Sequence, residues 1–180
     1  MEKATLANGC FWCTEAVFQR VQGILSVTSG YTGGRSDNPD YDHVSMGTTG
    51  HAEAVQVVFD PSILSYEEIL DIFFATHDPT TLNAQGNDIG TQYRSAIFYH
   101  DEEQKKTAQR KIQALEESGV FPSRIVTEVS PLVAFYPAEK YHAEYYDRNR
   151  ESNPYCTVVI DPKVKKLLSR FSDKVKAEYK

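Results

Sequence analysis

Several things are scarce in this 180-residue chain, and each scarcity removes a class of protein. There are three cysteines, an odd number and too few for a disulfide framework; that usage fits a reducing compartment, where a thiol is kept for packing or for chemistry. A basic excess is missing, with 19 Lys and Arg against 25 Asp and Glu and a formal net charge of −6. The cations are scattered or gathered in the C-terminal third beside acidic neighbours, which disfavours nucleic acid as a partner. No uncharged apolar run reaches the length a bilayer crossing requires, and Met1 to Thr5 carries charges of both signs rather than a basic stretch followed by an apolar one. Neither membrane span nor export signal is expected, and the cytoplasm is the expected compartment. Internal repeats and low-complexity segments are also missing. Methionine is rare, at two residues against eleven Tyr and nine Phe, a balance suited to pockets lined by rings with polar tips. The 41% hydrophobic content allows one sizeable core, and the length demands no second, so residues 1–180 are expected to form one domain and the protein to be a monomer.

Hydrophobic spacing and punctuation predict the order of elements. Lys3–Asn8 reads as a strand ending at Gly9, and Cys13–Gln22 as a helix with Ala16, Val17 and Val21 at helical spacing before Gly23. Ile24–Thr32 is a second strand, followed by a Gly-, Asp- and Pro-rich loop to about Val44, then His51–Phe59 as a third. Ser65 and Glu68 form a capping box that opens a helix ending near Asp78-Pro79. Pro79–Thr91 is a long polar loop, and loops of that length inside compact domains are usually functional. Gln92–His100 is a strand, Asp101 caps a helix to Ser118, and Ile125–Val133 is a fifth strand. Ala138–Asn149 and Lys163–Ala177 read as helices, separated by Asn153-Pro154 and the β-branched run Thr157–Ile160. The leading order, strand, helix, strand, strand, helix, strand, is the split βαβ pattern, with two helices on one face of a mainly antiparallel sheet. The expected class is α+β, with extra C-terminal helices.

The densest chemical signal is Gly9-Cys10-Phe11-Trp12-Cys13-Thr14-Glu15. Cys10 falls at a strand-to-helix junction, where the free N–H groups of a helix start stabilise a thiolate, so its pKa is expected to fall. The plain alternative is that Cys10 and Cys13 are small core residues. A zinc site would need four ligands, and Cys156 with the His residues at 43, 51, 77, 100 and 142 supplies no second closely spaced pair, so no metal is expected. Thioredoxin-like exchange fits the Cys-x-x-Cys spacing better. However, such motifs place small or turn-forming residues between the cysteines, and here Phe11 and Trp12 stand there. Two rings beside a thiolate form a floor for an apolar group, and a methyl carried on sulfur suits them.

A thiolate attacking a substrate whose leaving group is an oxygen needs a proton donor beside it. Along His51–Phe59, Glu53 shares the apolar face with Val55, Val57 and Phe59. Desolvation there would keep it protonated, unless it sits at a frayed strand end open to water. Asp88 lies in the long polar loop, where an ordinary turn role competes with a functional one. Tyr41 and Tyr93 are equally open to a core role. Lone histidines such as His51 and His142 read as structural, and Lys163–Lys166 reads as a solvated helix face.

Taken in order, Gly9-Cys10-Phe11-Trp12 with Glu15, Gly30-Tyr31-Thr32-Gly33-Gly34, Pro39-Asp40-Tyr41, Gly50-His51-Ala52-Glu53 and Gly90-Thr91-Gln92-Tyr93-Arg94-Ser95 resemble the A-type peptide methionine sulfoxide reductases, from Leu6 to about Cys156. The resemblance implies a two-layer, ferredoxin-like α+β plait. It implies that Cys10 is the nucleophile and Glu53 the proton donor, that Phe11 and Trp12 hold the substrate's methyl, and that Tyr41, Asp88 and Tyr93 supply hydrogen bonds. It implies reduction of the S epimer of methionine sulfoxide, free or in proteins, as repair after oxidative stress. Cys10 is left as a sulfenic acid that an external thiol (thioredoxin, glutaredoxin or a small thiol) recycles, with no bound cofactor.

Many relatives carry recycling cysteines on a Gly-rich mobile tail, whereas here the only late cysteine is Cys156, in a run that reads as ordered. A Cys156 buried in a strand would not reach Cys10. Cys13, one helical turn away, is then the favoured resolving thiol, though the first turn would have to loosen. The third possibility is direct attack by an external thiol. Two other functions compete with the reductase: a general disulfide oxidoreductase needing both Cys10 and Cys13, and a binding module that grips oxidised or thioether-bearing peptides through Phe11 and Trp12 without turnover.

Overall fold

A computed structural model describes all 180 residues. Its centre is a six-stranded mixed sheet formed by β1 (Glu2–Asn8), β2 (Ile24–Thr32), β3 (Ala52–Phe59), β6 (Ser95–Tyr99), β7 (Glu128–Pro131) and β8 (Phe135–Pro137), in the spatial order β7-β6-β1-β3-β2-β8. A separate two-residue ladder pairs β4 (Ala84–Gln85) with β5 (Asp88–Ile89) inside the long polar loop. The helices are α1 (Phe11–Phe18), α2 (Tyr41–Ser45), α3 (Tyr66–Ala75), α4 (Glu102–Ser118), α5 (Tyr145–Asn149) and α6 (Asp161–Arg170).

Strands β1 and β2 both pair antiparallel with β3, which lies between them, and β3 and β6 both pair antiparallel with β1. Each strand–helix–strand unit thus leaves a gap that the other unit fills. All other pairings are antiparallel except β6 with β7. Alternation along β3 sorts its side chains: Val55, Val57 and Phe59 join a 23-residue core with Phe11, Val17 and Phe18 of α1 and Ile69, Leu70, Ile72 and Phe73 of α3. Ala52 and Ala54 face the other way, against Ala7, Ala96 and Phe98. Burying each large apolar side chain contributes roughly 1.5–3 kcal/mol before chain entropy is charged against it.

The helix punctuation was legible. Ser65 and Glu68 make the reciprocal capping box, Asp101 accepts the Gln104 N–H, and Gly119 ends α4 in the left-handed conformation. Several expectations differ from what is observed, among them the last helix, which runs Asp161–Arg170 rather than Lys163–Ala177, and the fifth strand, Glu128–Pro131 rather than Ile125–Val133. Helix α1 starts two residues early, at Phe11, and stops at Phe18. Strand β6 is trimmed at its start by a 3₁₀ turn, Thr91–Tyr93. The expected helix over Ala138–Asn149 is broken: a 3₁₀ turn, Lys140–His142, is followed by Ala143 in an extended conformation and Glu144 at φ 52°, and α5 begins only at Tyr145. The β-branched run after Cys156 is no strand but a wide helical turn, Cys156–Ile160, continuous with α6. Strand β8 was not foreseen, because three residues ending in Pro137 carry too little pattern. It docks where Gly30 offers no side chain, a Cβ there falling 2.5 Å from the Phe135 ring.

Candidate active site

The thiol junction depends on Gly9. It adopts φ +108°, and a Cβ would lie 2.9 Å from the Gln85 side chain, so only glycine turns the chain here without strain. Cys10 is the N-cap of α1, and its carbonyl accepts the Cys13 N–H at 3.0 Å. The next two N–H groups serve the site: that of Phe11 donates to Glu53 Oε1 at 3.0 Å, and that of Trp12 to the Cys10 sulfur. One helix start therefore holds two acid groups.

Glu53 is buried at 2% exposure, not frayed, and burial is the main cause of a pKa pushed up to about 8, against the pull of the Phe11 N–H. At neutral pH it is a carboxylic acid with a proton to give. The expectation for Cys10 is corrected. Burial raises its thiol well above the ordinary value, as do its hydrogen bond with Cys13 and the nearby Glu53 carboxyl, and these outweigh the Trp12 N–H. The helix-start argument has the right sign but the smaller size, because Cys10 is almost out of water at 8% exposure. Cys10 in the resting protein is a thiol poised beside an acid.

Aromatic side chains surround this pair. Trp12 keeps some exposed surface, stacks on Tyr145 at 3.7 Å between centroids, and donates its indole N–H to His142 Nδ1 at 3.0 Å. Phe11 has no exposed surface; its ring is wedged between Tyr31 and His142. Tyr41, at the start of α2, packs its ring 4.7 Å from His142, and its N–H is held by Glu139. Burial lifts the Tyr41 phenol to about 12 and Tyr93 further, with Glu53 and Cys10 adding to both. Tyr93 packs against the cluster that holds Cys10.

On its other side Cys10 opens into a cavity of about 480 Å³ that Cys13, Asp88, Tyr155 and Lys163 also line. Tyr155 donates to Asp88 Oδ2 at 2.6 Å, stands 3.8 Å from the Cys13 sulfur, and meets the Trp12 ring edge-on. All three cysteines are free and buried, and they share one apolar cluster with Tyr146, Ile160 and Val164. Cys156 has no exposed surface.

Several shaping residues escaped the sequence reading. Glu15, buried and pushed up to about 7 by its burial, accepts the N–H groups of Glu144 and Tyr145. That capture breaks the expected helix and sets Tyr145 over Trp12. His142 is structural, as expected, but what it supports is the Trp12 indole. Lys163 is half-buried rather than on a solvated face: its Nζ donates to the Thr76 carbonyl and its side chain lines the cavity onto which Cys10 and Cys13 open. No local pattern announces these contacts, which join positions more than a hundred residues apart. Glu15 alone had a signal, since it is the single charged residue in the otherwise uncharged helix Phe11–Phe18.

The family model for peptide methionine sulfoxide reductase matches residues 2–175. The chain is 58% identical over 176 residues to the peptide methionine sulfoxide reductase MsrA of Saccharolobus solfataricus, covering 98% of each. Among solved structures it is similar to reduced Mxr1 from Saccharomyces cerevisiae, with a TM-score of 0.75 and 36% identity, covering 84% of this chain and 87% of that one. It is also similar to Mxr1 in complex with Trx2, with a TM-score of 0.53 and 29% identity, covering 80% and 84%.

Proposed function

Because the chain belongs to the peptide methionine sulfoxide reductase family, it is an oxidoreductase that reduces methionine sulfoxide, and we propose that Cys10 and Glu53 carry that reaction. The observation behind this reading is the shared helix start: a thiol at the N-cap of α1 and a carboxylic acid on the next N–H, in one ring-lined hollow. The Cys10 sulfur attacks the sulfoxide sulfur while Glu53 protonates the oxygen. The Cys10 thiol first releases its proton to solvent; the substrate sulfur then gains two electrons, the oxygen passes to Cys10 as a sulfenic acid carrying the Glu53 proton, and Glu53 is reprotonated from solvent. Trp12, backed by Tyr145, receives the methyl group, with Phe11 closing the hollow behind it. Tyr41 and Tyr93 donate to the oxygen, and Asp88 acts through Tyr155.

Cys13 is the favoured resolving thiol, supported by its hydrogen bond to Cys10. Cys156 shares the same buried cluster and is the second candidate. Thioredoxin, glutaredoxin or a small thiol then reduces the disulfide, with no bound cofactor; the complex of Mxr1 with Trx2 supports the first of these. The substrate is the S epimer, free or in proteins, and the role is repair. Finer points of the same reading are a ferredoxin-like plait in the central four strands, supported by the interleaved βαβ units, one domain over 1–180, a monomer, and the cytoplasm, supported by three unpaired thiols. No helix is long and apolar enough to cross a membrane.

The test is turnover of each sulfoxide epimer with a dithiol. The S form alone should be consumed, and Cys10→Ser should be inactive. Unchanged turnover in Cys10→Ser would overturn the assignment.

A further inference from the structure

Lys163 has no part in the chemistry above, yet its position is unusual for a lysine. It sits in the first turn of α6, its Nζ donates to the Thr76 carbonyl at 3.1 Å just past α3, and its side chain lines the cavity onto which both Cys10 and Cys13 open. From this placement, and resting on the reading that Cys13 resolves Cys10, we infer that the Lys163 ammonium is the counter-ion of the Cys13 thiolate and so directs thiol exchange through Cys10.

The two thiols share one small space but not one environment. Burial, the hydrogen bond to Cys13 and the Glu53 carboxyl act against charge on Cys10; on Cys13 the hydrogen bond from Cys10, the field of Lys163 and the Tyr155 hydroxyl favour charge and outweigh burial and Asp88. Burial lowers Lys163 from the ordinary lysine value, while Cys13, Cys10 and Asp88 favour its charged form. His77 is neutral, since burial pushes it down to about 3, and Asp78 is engaged by Thr80. Asp88 faces the same cavity, accepts from Tyr155, and acts against charge on Cys13, so Lys163 is the group lining the cavity that offsets it. Lys166, further along α6, adds a like charge. Around Cys13 the remaining titratable neighbours are Glu53, protonated at neutral pH, and Cys156, whose thiol burial raises.

The consequence is a direction for each recycling step. After substrate turnover the Cys13 thiolate attacks the sulfenic sulfur of Cys10; the sulfur–sulfur bond forms, the sulfur–oxygen bond breaks, and hydroxide leaves as water with one proton from solvent. An external dithiol's thiolate then attacks the Cys10 sulfur of the disulfide, and the electron pair of the broken bond goes to Cys13, beside the ammonium. The thiol better held as anion is the better leaving group. The dithiol's second sulfur attacks its own mixed disulfide, releases Cys10, and leaves the reductant as a disulfide.

The test separates charge from mere helix support. Lys163→Gln keeps a donor for Thr76 and removes the charge, Lys163→Met removes both, and Lys163→Arg keeps both. In a Cys10→Ser background, which isolates Cys13, alkylation by iodoacetamide is followed against pH by peptide mass. The Gln and Met variants are expected to shift the profile to higher pH and the Arg variant to restore it. In the full chain, disulfide formation after one turnover without reductant should slow about threefold at pH 7 in Lys163→Gln, because a tenfold loss of thiolate is partly offset by the greater nucleophilicity of the remainder. The methionine burst, one per competent chain, counts the folded sites in each variant. An alkylation profile unmoved in Lys163→Gln, or one that Lys163→Arg fails to restore, overturns the inference. If substrate-treated wild type shows no disulfide between Cys10 and Cys13, the resolving role beneath it fails, and the alkylation profile still reports whether Lys163 holds the Cys13 charge.

Discussion

Replacing Glu53 by glutamine removes a proton donor while keeping the shape of its side chain, and the burial of the site gives the change two readouts. The first is stability. A carboxyl whose pKa is raised in the folded protein loses stability as pH climbs, since the unfolded chain ionises at the ordinary 4.5 while the folded one holds its proton to about 8. The whole cost is about 5 kcal/mol, of which about 3 falls between pH 6 and pH 9. Denaturant unfolding at those two pH values should show wild type losing about 3 kcal/mol more than Glu53→Gln. The second readout is rate. The second-order rate of methionine release in a single turnover needs both a Cys10 thiolate and a protonated Glu53. In wild type it should rise with pH to about 8 and then level, each added thiolate being cancelled by lost acid. Glu53→Gln should be slower by about 100-fold or more and should keep rising past pH 8, because only the thiol titrates. Glu53→Ala, which cannot even hydrogen-bond the oxygen, should be slower still. An undiminished rate in Glu53→Ala, or levelling at pH 8 in Glu53→Gln, would refute the acid role.

Other parts of the site make predictions of their own. Tyr145→Ala removes the ring stacked on Trp12, worth about 0.5–1.5 kcal/mol, and should raise KM for a peptide sulfoxide about 2- to 10-fold with little loss of stability, as read by steady-state kinetics and thermal unfolding. In Cys13→Ser, mass spectrometry after substrate without reductant should find a sulfenic acid on Cys10 in place of an intramolecular disulfide; a Cys10–Cys156 disulfide would pass the resolving role to Cys156. Ser65→Ala, which deletes one half of the α3 capping box, should cost about 1 kcal/mol in denaturant unfolding and leave turnover alone. Glu15→Gln should flatten the fall in stability that wild type shows between about pH 4.5 and pH 7, because a buried acid with a raised pKa stabilises least once the unfolded chain has ionised.

What could be read from the chain alone was local. Gly9 before Cys10, the Ser65–Glu68 box and the two-residue alternation of β3 are short-range signals, and they located the thiol, a helix and the face of Glu53 correctly. The misplaced pKa of Cys10 shows the limit. A helix start can be read from neighbouring residues, but the burial that outweighs it involves a cluster with Tyr146, Cys156, Ile160 and Val164, supplied by a segment over a hundred residues away. The broken helix near Glu144 has the same origin, since its cause is a carboxylate on α1. Even Lys163, an unremarkable member of a basic run, becomes informative only when α6 is laid across the end of α3.

The thiols come from the first turn of the chain's first helix, while Tyr145, Tyr155 and Lys163, which cover them, come late. During translation, then, a ribosome has made Cys10 and Cys13 long before it makes their cover. A nascent chain stalled before Tyr145 emerges should expose both sulfurs to bulk reagents. Pulse labelling of stalled and released chains with a thiol reagent would show the shielding arrive with the last fifth of the polypeptide; equal labelling of both would mean the late segment gives no protection.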